Sequence, residues 1–315
     1  LLEVCGVEKK ALMTPFFFNK WWLIMYEFFK KNKQIFLRMK KYTLVLVALS
    51  IFTNCVSQTY KVMTYNIRLD LASDGENAWK NRKEFLSSQI LFFAPDILGV
   101  QEARPNQMAD LKEVLKEYNP IGLGRDGEQK GEHSSIFYNA KKFKVEKVNT
   151  FWLSETPEKV SKGWDAAYPR ICTYGLFTDI KTSKKIWIFN THLDHIGEQA
   201  QLNGIKQIQQ KMLEVNTKNY PVILMGDFNV EPNSMLITDL SEAMLNTEAI
   251  AKLTFGPKGT FNGFKFNEAV TRKIDYIFIS KSNSIKVNKY GVLSESNDLK
   301  YPSDHFPVYV EFKWE

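Results

Sequence analysis

Residues 222–225 (Val222, Ile223, Leu224, Met225) run without polar interruption into Gly226, Asp227, Phe228 and Asn229. A short apolar run bounded by Pro221 and Gly226 reads as a strand buried on both faces, which the rest of the chain has to cover. Asp227 and Asn229 are two apart, so they point the same way if the strand stays extended. Gly226 leaves room for another group to approach the backbone. A carboxylate and an amide at the mouth of a buried strand suit a hard cation, a water or a phosphate oxygen. An ordinary strand-to-turn junction also uses Asp, Asn and Gly. What separates the two readings is how often the arrangement recurs.

It recurs along the chain. Asn66 follows the apolar pair Val62-Met63, Glu102 follows Ile97-Leu98, and His192 with Asp194 follows Ile188-Phe189. Asp275 lies beside Ile274 and Ile277, and Asp304-His305 precedes Phe306. Taken singly, each has a bland explanation as a turn residue, a solvated strand end or a packed histidine. If the strands share one core, their mouths converge. Acids, amides and histidines gathered there match metal-assisted hydrolysis of a phosphate ester. A glycine-rich phosphate loop, a GxSxG elbow, an HExxH helix and a CxxC pair are all missing from the sequence.

The coarse pattern is βαβ early and strand-rich later. Strands are expected at 60–65, 97–102, 134–138, 144–150, 172–180, 185–190, 222–225, 273–280 and 306–312. Helices are expected at 81–93, 107–118, 199–215 and 234–245. The segment 152–170, rich in Pro, Gly and Trp, reads as a long surface loop over the site, and 70–80 as a polar loop. Short crossings between antiparallel strands with at least four helices imply two packed sheets flanked by helices.

Tyr65-Asn66, Val100-Gln101-Glu102, Asn190-Thr191-His192-Leu193, Gly226-Asp227-Phe228-Asn229, Ile274-Asp275-Tyr276 and Ser303-Asp304-His305-Phe306-Pro307 stand in that order over residues 60 to 312. They resemble the ordered motifs of the endonuclease/exonuclease/phosphatase superfamily, whose members include deoxyribonucleases, inositol polyphosphate phosphatases, neutral sphingomyelinases and deadenylases. The chain looks most like exported bacterial members. The resemblance implies an α/β fold, a four-layer α/β sandwich with two central, mostly antiparallel sheets, and a Mg²⁺ or Mn²⁺ site. It implies Glu102 as principal metal ligand, with Asn66 beside it and Asp304 near the metal. Asp227 and Asn229 would orient water and phosphate, and His305 would be the catalytic histidine with Asp275 as its carboxylate partner. His192 resembles the second histidine of deoxyribonuclease-like members, with Glu132 at the spacing of its acid partner and Arg170 placed to contact phosphate. One departure matters. Apurinic endonucleases carry an acid two residues after the Asn, and here that position is Arg68.

The net charge of +7 first suggests a nucleic-acid binder. Its location argues otherwise: residues 1–57 hold nine Lys/Arg and three acids, +6, which leaves +1 for 58–315. Met39, Lys40 and Lys41 precede an apolar stretch at 43–52, the pattern of a secretory signal too short to span a membrane. Processing after Ser57 or lipidation at Cys55 both fit, so 58–315 is expected to be an exported domain: periplasmic, secreted or lipid-anchored. Residues 1–38 carry no fold-like pattern and are expected to be an over-long start, with the true start at Met39; the rival is a membrane-associated helix over 21–29. After cleavage only Cys172 remains, which excludes a disulfide and a zinc–thiolate site. The expected function is hydrolysis of a phosphate mono- or diester (nucleic acid, inositol or sugar phosphate, or lipid headgroup) by a monomer with no obligate protein partner. Nuclease activity is one alternative. A non-catalytic binding protein on the same scaffold is another, expected to have lost Glu102, Asp227 or His305, all of which are present.

Overall fold

The run at 222–227 forms β8 (Val222–Asp227), buried at all six positions and paired with a strand on either side. Strands are numbered β1 to β13 along the chain. The sheet containing β8 runs β5 (Phe143–Trp152), β6 (Ile171–Asp179), β7 (Lys185–His192), β8, β11 (Asp275–Ser280), β9 (Met244–Asn246). The other sheet has seven strands, in the order β10 (Leu253–Phe255), β12 (Ile285–Val292), β13 (Val308–Trp314), β1 (Thr59–Asn66), β2 (Ile97–Gln101), β4 (Ile136–Asn139), β3 (Tyr118–Ile121). Most neighbours are antiparallel; β1/β2, β7/β8 and β10/β12 are parallel. A parallel pair needs a crossover, and helices Trp79–Phe93 and Glu198–Val215 supply it for β1/β2 and β7/β8.

This computed structural model describes residues 15–32, 58–281 and 284–314, which fall into two compact units divided between Ser57 and Gln58. The N-terminal unit contributes a helix, Pro15–Lys31, that exposes Trp21, Trp22, Phe28 and Phe29 and ends on Lys30 and Lys31. Among the described residues no helix is long and apolar enough to cross a membrane. The secretory segment expected at 39–57, with Cys55, lies outside the described residues.

From Gln58 onward the side chains sort into four layers. Along β8, Ile223 and Met225 join the cluster between the sheets, with Val62, Ile97, Ile188 and Val310. Val222 and Leu224 point the other way, onto Ile205, Ile208 and Met212 of helix Glu198–Val215 and Leu236 and Leu240 of helix Met235–Ala243. In the seven-stranded sheet Met63, Tyr65, Leu98 and Val100 pack on Trp79, Leu86 and Ile90, and on Met108 and Leu111 of helix Pro105–Val114. The period-2 alternation of each strand therefore fills a middle layer and an outer one, giving helix, sheet, sheet, helix.

Some element boundaries differ from the sequence reading. The helix expected over 107–118 ends at Val114, because Leu115 leaves helical geometry and Tyr118 opens β3, its hydroxyl donating to the Pro95 carbonyl. Pro120 is tolerated in β3 because that strand is a sheet edge. The long strand β12 and the short strands β9 and β10 were not expected. Of the loop expected over 152–170, Trp152 instead ends β5, and 153–170 is free of helix and strand.

A polar bridge fixes how the two sheets face each other. Asn190 of β7 donates to the carbonyls of Val100 and Ser135 and accepts from Gln101, which also donates to Thr64. Gly99 makes room, since a Cβ there would collide with the Asn190 amide. A satisfied buried network of this kind fixes one arrangement and penalises others. It brings the C-terminal ends of β1/β2 and β7/β8 to one place.

Candidate active site

Strand register sets the first row of side chains. His192 pairs with Asp227 across β7/β8, and Asp227 pairs with Asp275 across β8/β11. From the facing sheet, Asn66 ends β1 and Glu102 follows β2; Asp304 and His305 precede β13. The chain turns sharply at these mouths: Arg68, Glu102 and Asn229 have φ of +55°, +63° and +55°. Non-glycine residues in this region are strained by roughly 1 kcal/mol or more each, and such strain clusters at functional sites. At Gly226, φ is +147° and a Cβ would run into the Thr191 carbonyl, so only glycine lets β7 and β8 close here.

Hydrogen bonds then lock the acids. The Asn66 amide donates to Glu102 Oε1 at 3.0 Å and to Asp227 Oδ2 at 2.9 Å, while its oxygen accepts the Arg68 N–H. Asn66, expected beside the metal, bonds both of these carboxylates through its amide nitrogen. Glu102 Oε2 accepts from the Leu69 N–H, and Asp227 Oδ1 from the Asn229 N–H. The Asn229 amide donates to the Leu193 carbonyl and meets His192 Nε2 at 3.0 Å. His305 Nδ1 lies 2.9 Å from Asp275 Oδ2, and its Nε2 lies 3.8 Å from Asp227 Oδ2.

The charges in this cluster are not balanced. Burial, followed by the charge of Asp275, pushes Asp227 up to about 7. Burial also raises Asp304, with the Glu102 charge adding to it. For His305, burial alone would lower the pKa, but the charges of Asp275 and Asp227 and the Asp275 hydrogen bond outweigh it, giving about 10. His305 is therefore cationic at neutral pH. His192 is driven well below its ordinary value by burial and by the nearby Arg170 and His305, and is neutral.

Glu102, Asp227 and His305 each bring a ligand-type atom within 4.8 Å of the others. Because His305 holds a proton, the donors left for a cation are the oxygens of Glu102 and Asp227, with Asp304 on the same cavity wall. An oxygen set of this kind fits Mg²⁺ or Mn²⁺, and a dication would relieve the repulsion that raises Asp227.

The cluster opens into a cavity of about 710 Å³ whose walls also include Arg68, Arg104, Arg125, Glu132, Arg170 and Arg272. Arg170 faces the site with its Nε 3.2 Å from Asp194 Oδ2. Glu132 does not follow the spacing-based expectation of pairing with His192: it forms an ion pair with Arg125 at 2.8 Å instead. The reason is a turn, in which the Arg125 N–H bonds the Glu132 carbonyl and folds Arg125 back over its own loop. Arg68 is held by Asp74 and lies 3.8 Å from Asp304. A second cation close to Arg68 is therefore disfavoured electrostatically.

Asp194 is a structural clamp for the 152–170 loop. It accepts N–H bonds from Ala167, Ile196 and Gly197 in addition to the Arg170 contact. Burial would raise its pKa, but the Gly197, Ala167 and Ile196 N–H groups and Arg170 hold it down at about 2. The folded chain binds this proton more weakly than the unfolded chain. Its stabilisation is present above about pH 4 and is lost as pH falls through about 2. Asp194→Asn is expected to cost about 2 kcal/mol at pH 7, with the gap to wild type closing between about pH 4 and 2 in denaturant titrations.

Some residues that shape the site gave no sign of it in the sequence. Buried Arg82 donates to the carbonyls of Ile67, Arg68, Asn77 and Pro302, tying the loop after β1 to the segment that carries Asp304 and His305. Ser303 Oγ donates to the Asn66 carbonyl, and Gln107 bridges Asp70 and Arg68. Arg82 falls inside an expected helix, where a single arginine looks like a solvated side chain.

Residues 63–305 match the Endonuclease/Exonuclease/phosphatase family. Among solved structures, one of an endonuclease/exonuclease/phosphatase family protein from Bacteroides thetaiotaomicron is 38% identical, with a TM-score of 0.78 over 82% of this chain and 99% of that one. A mannosyl-6-phosphatase of the same species is 39% identical, with a TM-score of 0.76 over 80% and 99%. An endonuclease/exonuclease/phosphatase from Bacteroides vulgatus is 34% identical, with a TM-score of 0.77 over 82% and 100%. With its two mixed sheets, flanking helices and row of acids and histidines at the strand mouths, the chain belongs to the endonuclease/exonuclease/phosphatase family.

Proposed function

We propose that the 58–315 unit is an exported phosphate monoester hydrolase acting on a sugar phosphate with the help of Mg²⁺ or Mn²⁺. The observation that carries the reading is the crowding of Glu102 and Asp227 beside protonated His305 within 4.8 Å, an arrangement that an incoming dication and phosphate would balance. Glu102 would hold the cation, with Asp227 and Asp304 bordering it. The metal would polarise a phosphoryl oxygen and offset developing negative charge.

The chain's own groups supply the rest. Asp227 orients an attacking water and takes its proton, with its own oxygens held by the Asn66 amide and the Asn229 N–H. His305, fixed through Nδ1 by Asp275, presents Nε2–H to the phosphoryl oxygens. Neutral His192 and the Asn229 amide form a second polar edge, and Arg170 adds a fixed positive charge. The name of the mannosyl-6-phosphatase relative supports a sugar phosphate as substrate. The +1 charge of 58–315 supports a small substrate over duplex DNA.

The test is hydrolysis by the 58–315 unit with Mg²⁺ or Mn²⁺, read as phosphate released from sugar phosphates and inositol phosphates, p-nitrophenol from bis-p-nitrophenyl phosphate, nucleotides from plasmid DNA and RNA, and phosphocholine from sphingomyelin. Turnover of sugar phosphates well above the diesters is expected. Preference for DNA or RNA would replace this reading with a nuclease, and inactivity on the whole panel would favour a binding protein. Export predicts a native N-terminus at Gln58 or a lipidated Cys55; mass spectrometry finding Lys40 and Lys41 intact would contradict it.

A further inference from the structure

One wall of the cavity is built differently from the reactive cluster. The loop between β3 and β4 supplies Arg125 and Glu132, paired at 2.8 Å with side chains only 16% and 13% exposed. The Arg125 guanidinium lies over the Tyr168 ring, 4.8 Å from its centroid. Tyr168 stacks on His195 at 5.9 Å and 13°, and His195 Nδ1 meets Arg170 Nη2 at 3.1 Å. The Trp152 indole N–H donates to the Arg125 carbonyl, which pins the loop from below. These contacts hold the wall rigid before anything binds. Both Arg125 and Glu132 line the cavity, so their paired edge meets whatever enters it.

The chemistry of the pair narrows what that ligand is. Taken together, Arg125 and Glu132 are neutral and offer both donors and an acceptor. A hydroxyl group is itself both donor and acceptor, so a polyol matches this edge. A second phosphate does not, since it would face the Glu132 carboxylate. We infer that the Arg125–Glu132 wall is the subsite for the hydroxylated part of the substrate, the sugar ring of a sugar phosphate, and selects that class over simple phosphate esters. This rests on the phosphatase reading above for the position of the phosphate.

Arg125→Lys keeps a positive charge opposite Glu132 but removes the guanidinium fork. In the chain carrying this change, KM for mannose 6-phosphate is expected to rise about tenfold with kcat within about twofold, while p-nitrophenyl phosphate changes less than about twofold. The ratio of the two substrates is internal to each preparation, so partial misfolding scales both alike. Equal changes on both substrates, or none on either, would overturn the inference. If wild type turns over neither, the phosphatase reading fails, and calorimetry decides the subsite by itself. Mannose 6-phosphate binding more tightly than inorganic phosphate in wild type, with the gap closed in Arg125→Lys, supports it; equal affinities in wild type reject it.

Discussion

Asp227→Ala is expected to lower kcat by about 10³-fold, within the range for loss of a positioned base. Two features make the effect large. Asp227 sits where β7, β8 and β11 bring His192 and Asp275 alongside it, and the neighbouring Asp275 carboxylate is engaged by His305 Nδ1. Its two oxygens are also already oriented by Asn229 and Asn66, so the group meets its water without rearrangement. Structural damage is expected to be small by comparison, because burial and Asp275 hold Asp227 in an unfavourable state in the folded protein. A sound thermal melt with activity within about tenfold of wild type would show that Asp227 is not the base.

Chelation is the second large effect. Removing divalent cations is expected to bring turnover to background, with recovery on adding Mg²⁺ or Mn²⁺, and Glu102→Gln is expected to need far more cation for the same recovery. A stability signature accompanies it. The folded state binds the protons of Asp227 and His305 more tightly than the unfolded chain does, with folded pKa values of about 7 and about 10. For both groups the contribution is complete below the unfolded pKa and is lost as pH rises, through about 7 for Asp227 and about 10 for His305. The metal-free protein is therefore expected to melt earlier at about pH 8 than at about pH 6. A cation that binds only the folded state stabilises it by about 2.7 kcal/mol at a hundred times its Kd, which should largely cancel that loss. Melting that ignores both pH and cation would count against the charge balance described here.

The fold was legible where apolar runs end in polar residues. β8 is the clearest case: four apolar residues, a glycine and an acid specify a buried strand with chemistry at its mouth. β12 was hidden for a physical reason, since a bulge between Val287 and Lys289 breaks its period-2 alternation. Tyr118 was assigned to the preceding helix because it continues the 3.6-residue spacing of Leu111 and Leu115, and only its bond to the Pro95 carbonyl shows that it belongs to a strand. Within the site, the sequence pointed to the residues that converge but not to how they are held. Asn66 as a clamp, Arg82 as a tie between distant loops and Arg125 as the partner of Glu132 depend on where the backbone carbonyls and turns end up. Residue spacing carries no trace of that.

The central claim is that Glu102, Asp227 and their neighbours gather around one divalent ion. Diffraction from crystals soaked in Mn²⁺, read at the manganese absorption edge, tests it directly. The expected result is an anomalous peak within about 2.5 Å of a Glu102 carboxylate oxygen, on the side facing Asp227 and His305. No peak there at millimolar Mn²⁺, in crystals of protein that is active with Mn²⁺, would contradict it.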